Sequence, residues 1–599
     1  MFRRAFVLVC LISLARASLG EIAWSGDVDP EDPTTWQSTD NGYVGKTADG
    51  GITVSSGAVL PSSSGYVGDE AAATGTATIT GTGSHWNNSG ALSIGRFGDG
   101  ILNVEDGGLV TSAAGLLGVE VGATGAAIVS GSGSQWSSDH YLYVGFAGDG
   151  ALTVADGGEV TTATLWASLD DLHGNGTIIA TEGAVLDADL RFDASGGTQA
   201  IATFGTGGTL SVTANGGTLG AGYKSWGSLT IADGVEVTSS SGHIGRWPEA
   251  MGIATVTGTD SHWTIQSDMF YIGGGGNGAL NVEAGGTVTS TISYIGGGSR
   301  STGVATITGS GSQWNSNRLY IGRFGSGSLN VKEGGLVTSK SGEVGPTSTV
   351  TITGSGSEWS MVDGLILRGP LNVEAGGRIS SESGFLSSTS AKVIGSGSAW
   401  SLLEELDVDG SLSIARGGLV TVAGELSTNH GAYLNMTTGG MLALFGEADD
   451  SITQFLNLFQ GTDAIRYWSA DLVDWAPITD ATYGDDYTLE YLTTGDLAGY
   501  TVLTVGEVPT STPGDFNNDG VVNLADYALW RNNLGAADDV VINNAGDGLP
   551  GVDSADYEVW KLHFGESDSA GVEAARVPEP GGVVLLIAML STLACVARR

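Results

Sequence analysis

Leu102-Asn103-Val104-Glu105-Asp106-Gly107-Gly108 and, shortly after it, Gly131-Ser132-Gly133-Ser134-Gln135-Trp136 decide the fold, because both phrases recur along the chain. The first returns as LTVADGG from Leu152, LNVEAGG from Leu280, LNVKEGG from Leu329 and LNVEAGG from Leu371. The second, Gly-x-Gly-Ser-x-Trp or a close variant, carries its tryptophan at Trp86, Trp136, Trp263, Trp314, Trp359 and Trp400. Taking the central apolar residue of each phrase, Ile79, Val104, Val129 and Val154 are 25 residues apart. Ile231, Val256, Val282, Ile307 and Val331 continue at 24 to 26, and Ile352, Val373, Ile394 and Ile414 at 20 or 21. A third phrase, of Tyr-Val-Gly type, runs in parallel: Val44 to Val67, Ile94 to Leu117, Ile272 to Ile295 and Ile321 to Val344 are each 23 apart.

Such a period is the mark of a repeat architecture, and its content identifies which one. Leu and Val alternate with Asn and Glu, so one face of each short strand enters a core and the other meets water. Glycines at the ends supply turns. A unit of about 25 residues with two or three such strands is one coil of a right-handed parallel β-helix, or β-solenoid, and the sequence repeat of about 50 is two coils. Roughly sixteen coils fit between residues 22 and 425, a rod about 75 Å long at the spacing of stacked strands.

Composition agrees. Of 599 residues 99 are Gly and only 15% are charged, which disfavours helices. The net charge of -42 comes from 65 acidic against 23 basic residues, which argues against nucleic acid as a partner and for cations or neutral glycans. The two cysteines, Cys10 and Cys595, lie in the apolar ends, so no disulfide staples the body, whose stability must come from repetition and metal ions.

Both ends read as addresses. Arg3 and Arg4 precede an apolar run closed by Ala15-Arg16-Ala17, the three parts of a signal peptide over 1–17 that predicts export. At the other end Pro578-Glu579-Pro580 precedes an apolar run and a final Arg598-Arg599. This trio, within 577–599, resembles the bacterial PEP-CTERM sorting signal. The resemblance implies recognition by an exosortase-type enzyme, a C-terminal transmembrane helix in the cytoplasmic membrane at least transiently, and a final place at the cell surface or outside the cell.

Between these ends the sequence divides into an N-terminal cap and first coil (18–60), solenoid repeats (61–430) that are degenerate over 160–222, a C-terminal cap or small β domain (431–508), and a linker (509–513). A module at 514–567 and a second linker at 568–576 follow. The repeats resemble those of autotransporter-like surface β-helix proteins, which implies architecture more than activity. Such scaffolds serve as adhesins and spacers and, in other families, as polysaccharide lyases or hydrolases.

The module carries the most specific motif. Asp515, Asn517, Asp519, Asn523 and Asp526 occupy loop positions 1, 3, 5, 9 and 12, with Gly520 at the sharp turn and the Val521 carbonyl at position 7. Calcium requires such a ring of hard oxygens on a flexible loop. The final Asp in place of the Glu of an EF-hand, and a second half at Gly551–Gly565, resemble type I dockerins. That resemblance implies Ca2+ at the first loop, a degraded second site at Asn544, Asp547, Asp553 and Asp556, and docking onto a cohesin-like partner.

A catalytic centre normally breaks a repeat, and here the acids do not. Glu105, Asp156, Glu283, Glu333 and Glu374 recur beside Gly-Gly turns and Arg96, Arg246 and Arg323 recur in one phrase, as corner residues do. No Ser-His-Asp, HExxH or Walker signature is present, so no catalytic residue is assigned. The six tryptophans are candidates for glycan stacking or, alternatively, plugs between coils. The function expected is a noncatalytic surface or extracellular structural protein that binds polysaccharide. The alternatives are a carbohydrate-active enzyme on a β-helix scaffold, active in polysaccharide catabolism, and a scaffold recruited through a cohesin-like partner.

Overall fold

The computed structural model describes residues 20–506 and 514–565, apart from 267–268, 430, 460–462, 470–471, 473, 518, 537–538, 544 and 546–551. The expected signal peptide, the two linkers and the sorting tail with Pro578, Glu579 and Pro580 lie outside the described residues. Among the described residues no helix is long and apolar enough to cross a membrane.

The chain is mainly β, with a parallel solenoid of about 17 coils and, among the described residues, three α-helices. Alternation of apolar and polar residues makes each strand, and in-register stacking makes the rod. Strands such as Thr74–Thr80, Asp99–Glu105 and Thr124–Ser130 pair in parallel, placing Ile79 beside Val104 and Val104 beside Val129. Thus the 25-residue step is one coil. The Tyr-Val-Gly strands stack likewise, with Val44 beside Val67 and Ile272 beside Ile295. One residue of the periodic series needs correction: Val373 pairs with Val393, while Ile394 pairs with Glu374 and points outward. Two adjacent apolar residues in a coil shortened to 20 residues left the periodicity ambiguous there.

The tryptophan strands explain why the sequence repeats every second coil. Trp136 stacks between Val110 and Val160, and Trp314 between Val288 and Val337. Further along, Trp359 and Trp400 are separated by Ile379. A large ring in one coil is matched by a branched aliphatic in the next, which fills the interior without overpacking. The indole also needs room beside it: a Cβ on Gly115 would lie 2.7 Å from the Trp136 ring, and one on Gly342 would lie 2.6 Å from that of Trp359.

Serines of the same phrase tie the corners together. At the turn after each LNVEDGG-type strand the backbone enters the left-handed region, as at Asp106 (φ 51°) and Gly107 (φ 85°). The glycine N–H there donates to the serine Oγ of the next coil: Gly107 to Ser134, Gly285 to Ser312 and Gly334 to Ser357, each at 3.0 Å. Ser134, Ser312 and Ser357 are fully buried. Replacing Ser312 by Ala leaves the Gly285 N–H without that acceptor, and a loss of about 1–3 kcal/mol in unfolding free energy is expected by denaturant titration. A change within a few tenths of a kcal/mol would show that the Oγ contributes nothing.

Both rod ends are covered. Glu21–Gly26 pairs antiparallel with Gly50–Ser55, and Tyr500–Val505 pairs antiparallel with Gly440–Phe445. These strands, with the helix Ala448–Phe459 that buries Phe455, close the rod against addition of other chains. Over 160–222 the regular coil gives way to a hairpin of Gln199–Phe204 with Gly208–Thr213. A second small core of Trp166, Val185 and Tyr223 forms there.

Candidate functional site

In the terminal module two helices, Leu524–Asn533 and Ser554–His563, are arranged with internal symmetry. The Trp530 Nε1–H donates to the Asp553 carbonyl at 2.7 Å, and the Trp560 Nε1–H donates to the Asn523 carbonyl at 2.8 Å. Each helix therefore holds the N-cap of the other. Phe516, Val522, Trp530, Ile542 and Trp560 form a core of the module's own.

The loop before the first helix brings the carboxylates of Asp515, Asp519 and Asp526 together, with ligand oxygens within 4.8 Å of one another. Backbone geometry does this. The Asp515 carboxylate accepts from the N–H groups of Asp519 at 3.0 Å and Gly520 at 2.7 Å, curling the loop around it. Gly520 takes φ 81°, which permits the reversal. Asp526 accepts from the N–H groups of Asn517 at 2.9 Å and Asn523 at 2.7 Å, so it closes the loop and also caps the helix.

Three carboxylates so close repel one another unless a cation or protons intervene. Burial pushes the Asp515 carboxyl up to about 6, with Asp519 and Asp526 adding to the rise, and burial likewise raises Asp526. The donor set is all oxygen and can hold a hard metal ion. Of the other expected ligands, Asn517 Oδ1 accepts from the Asp519 N–H at 2.9 Å. Asn523 Oδ1 accepts from the Ala525 N–H at 2.7 Å as the helix cap, and its Nδ2 donates to the Val521 carbonyl at 2.8 Å. The structure thus assembles the three aspartates and uses the asparagines to shape the loop.

Asp553 and Asp556 of the expected second site form the capping box of the second helix: Asp553 accepts from the Ala555 N–H at 2.6 Å, and Asp556 from the Asp553 N–H at 2.7 Å. Asn544 and Asp547 lie outside the described residues. Among the described residues the one metal-type grouping is that of the first loop.

The tryptophans are corrected from glycan-stacking candidates to interior residues. Trp86, Trp136, Trp263, Trp314, Trp359 and Trp400 are each at most 1% exposed, so no ring face is open to a sugar. Each indole N–H instead donates to a serine in the preceding coil, as Trp136 to Ser112 at 3.2 Å and Trp314 to Ser290 at 3.1 Å. The signal for this is in the sequence: the serine of Val-Thr-Ser stands 24 residues before Trp136, Trp263 and Trp314 and 20 before Trp359.

The acids along the rod also need a correction of register. Glu105 and Glu283 end strands, whereas Asp156 and Glu333 sit one position later, in the positive-φ turn. Arg96 pairs with Asp69 at 3.0 Å, and Arg323 lies 4.5 Å from the Tyr320 ring centre. In the irregular region the Lys224 ammonium donates to the Gly148 carbonyl at 3.0 Å, and Asp187 accepts from the Tyr223 N–H at 2.6 Å. These charges tie the break to neighbouring coils. Comparison with family models, curated proteins and solved structures returns no match.

Proposed function

We propose that this protein is a noncatalytic, exported rod that works at the cell surface or outside the cell, binds polysaccharide along its solenoid, and carries a calcium-binding, dockerin-like module. The observation that carries the reading is the separation of chemistries. Among the described residues, convergent acids occur in the terminal module, while outward strand positions of the solenoid present mostly hydroxyls and amides such as Thr255, Asn281, Thr306 and Asn330. Hydroxyls and amides both donate and accept, which suits a neutral glycan. The PEP-CTERM-like tail supports sorting through an exosortase-type enzyme, and the dockerin-like helix pair supports a cohesin-like protein as a further partner.

When the secreted protein is incubated with calcium and a panel of neutral and acidic polysaccharides, the expected result is no new reducing or unsaturated ends and cosedimentation with at least one insoluble glycan. Reproducible release of ends would overturn the noncatalytic reading and direct attention to residues 160–222.

A further inference from the structure

A groove of about 640 Å³ crosses four consecutive coils, where the tryptophan strands turn into the Tyr-Val-Gly strands. Each coil contributes the same three positions: Thr264 to Gln266, Thr289 to Thr291, Asn315 to Asn317 and Thr338 to Lys340. Register makes these columns. Thr264 pairs with Thr289, Thr289 with Asn315, and Asn315 with Thr338. The groove therefore runs along the rod axis, and its three steps span about 14 Å at the spacing of stacked strands.

We infer that this groove is the glycan site of the rod and holds a neutral, extended polysaccharide segment parallel to the rod axis; the inference rests on the binding function proposed above. Three features select the ligand. Among the described residues the lining contains no carboxylate and one cation, Lys340, which faces Asp363 at 3.7 Å, so neither a cation nor a polyanion is favoured. The net charge of -42 further opposes an acidic glycan. The strands of the floor already pair with coils on both sides, leaving no free sheet edge for an added peptide strand.

The lining is equipped for a chain of hydroxyls. The Thr338 hydroxyl donates to Asn315 Oδ1 at 2.6 Å, which fixes the orientation of that amide. His262 Nε2 lies 3.1 Å from the Thr289 hydroxyl. Among the described residues, the exposed amides of Gln266 and Asn317 bond to no protein group and are free for a ligand. Val362, 71% exposed, closes one end with an apolar surface against which the C–H face of a pyranose can rest.

The test is affinity electrophoresis of the full secreted chain in native gels containing hydroxyethylcellulose, xyloglucan, galactomannan or, as the acidic comparison, alginate. Wild type is expected to be retarded by at least one neutral polymer. The double substitution Gln266→Ala and Asn317→Ala removes two hydrogen-bonding groups and is expected to weaken that retardation about tenfold. Asn317→Trp is expected to abolish it by filling the groove. Asn457→Ala, an exposed amide on the capping helix Ala448–Phe459 and outside the groove, is expected to leave it unchanged. Equal retardation of wild type and both groove variants overturns the groove assignment while sparing the binding function. Retardation in alginate alone overturns the neutral ligand class, and retardation in none of the gels overturns both the site and the function it rests on.

Discussion

Trp314→Ala is expected to lower the unfolding free energy by about 3–5 kcal/mol, the cost of truncating a large buried side chain. The indole is fully buried between Val288 and Val337 of the adjoining coils, meets Phe270 at 6.2 Å between ring centres, and donates to Ser290. Its loss opens a void and leaves Ser290 short of a donor in one step. A solenoid coil contacts chiefly its neighbours, so the damage concentrates at one junction of a nearly one-dimensional array. The urea transition of the rod is then expected to divide into two, with amides around residues 287–344 exchanging earliest. Trp314→Phe keeps an aromatic ring and loses the hydrogen bond, at about 1 kcal/mol. If Trp314→Ala shifted stability by less than Trp314→Phe, the interior role of the indole would be refuted.

The same tryptophan shows how far the amino-acid order alone reaches. Spacing of Val104, Val129 and Val154 predicts the coil, since the side chain that follows a full turn must stack on its predecessor. The phrase alone leaves burial of the tryptophans open, because flanking Gly, Ser and Asn look like an exposed corner. What settles it lies one coil away: a serine 19 to 24 residues upstream and a glycine such as Gly115 that makes room for the ring. Contacts between coils follow a period that local polarity does not report. Ile394 was misplaced for a related reason, since the shortened coil offers two apolar neighbours and only the ladder distinguishes them.

At the terminal loop the difficulty is different. Asp526 satisfies a metal-loop pattern and a capping-box pattern with the same side chain, and the structure shows it closing the loop and capping the helix together. Asp553 and Asp556 fit the capping pattern alone among the described residues. Repetition of a sequence phrase thus preserved the helix pair, with its reciprocal Trp530 and Trp560 bonds, in a half where a metal-type cluster does not form among those residues. Sequence similarity between the halves reports the shared fold more faithfully than the shared chemistry.

Calcium added to metal-stripped protein is expected to stabilise the module by about 2.7 kcal/mol once its concentration reaches a hundred times the dissociation constant. The argument begins with electrostatics. The ligand oxygens of Asp515, Asp519 and Asp526 lie within 4.8 Å of one another, and Asp515 and Asp526 are buried, so repulsion and desolvation cost the loop stability until a cation neutralises them. A flexible loop of oxygens favours Ca2+ over Mg2+, which demands a tighter octahedron and keeps its water. Asp519→Asn removes one charged ligand and keeps the loop's backbone bond to Val521. The amide oxygen still accepts the Val521 N–H, bonded at 2.9 Å, while a negative charge and the second oxygen, which accepts from Asn517 Nδ2 at 2.9 Å, disappear. Hydrogen exchange on the full chain, read at residues 514–536, is expected to show calcium-dependent protection in wild type and at least about tenfold weaker calcium affinity in the variant, since one charged ligand is lost. Without metal the variant is expected to be protected about as well as wild type, because relief of one of three repelling charges offsets the lost Asn517 bond. Wild-type protection that ignores calcium at millimolar concentration, or equal calcium affinity in wild type and variant, would mean that the aspartates only fold the loop.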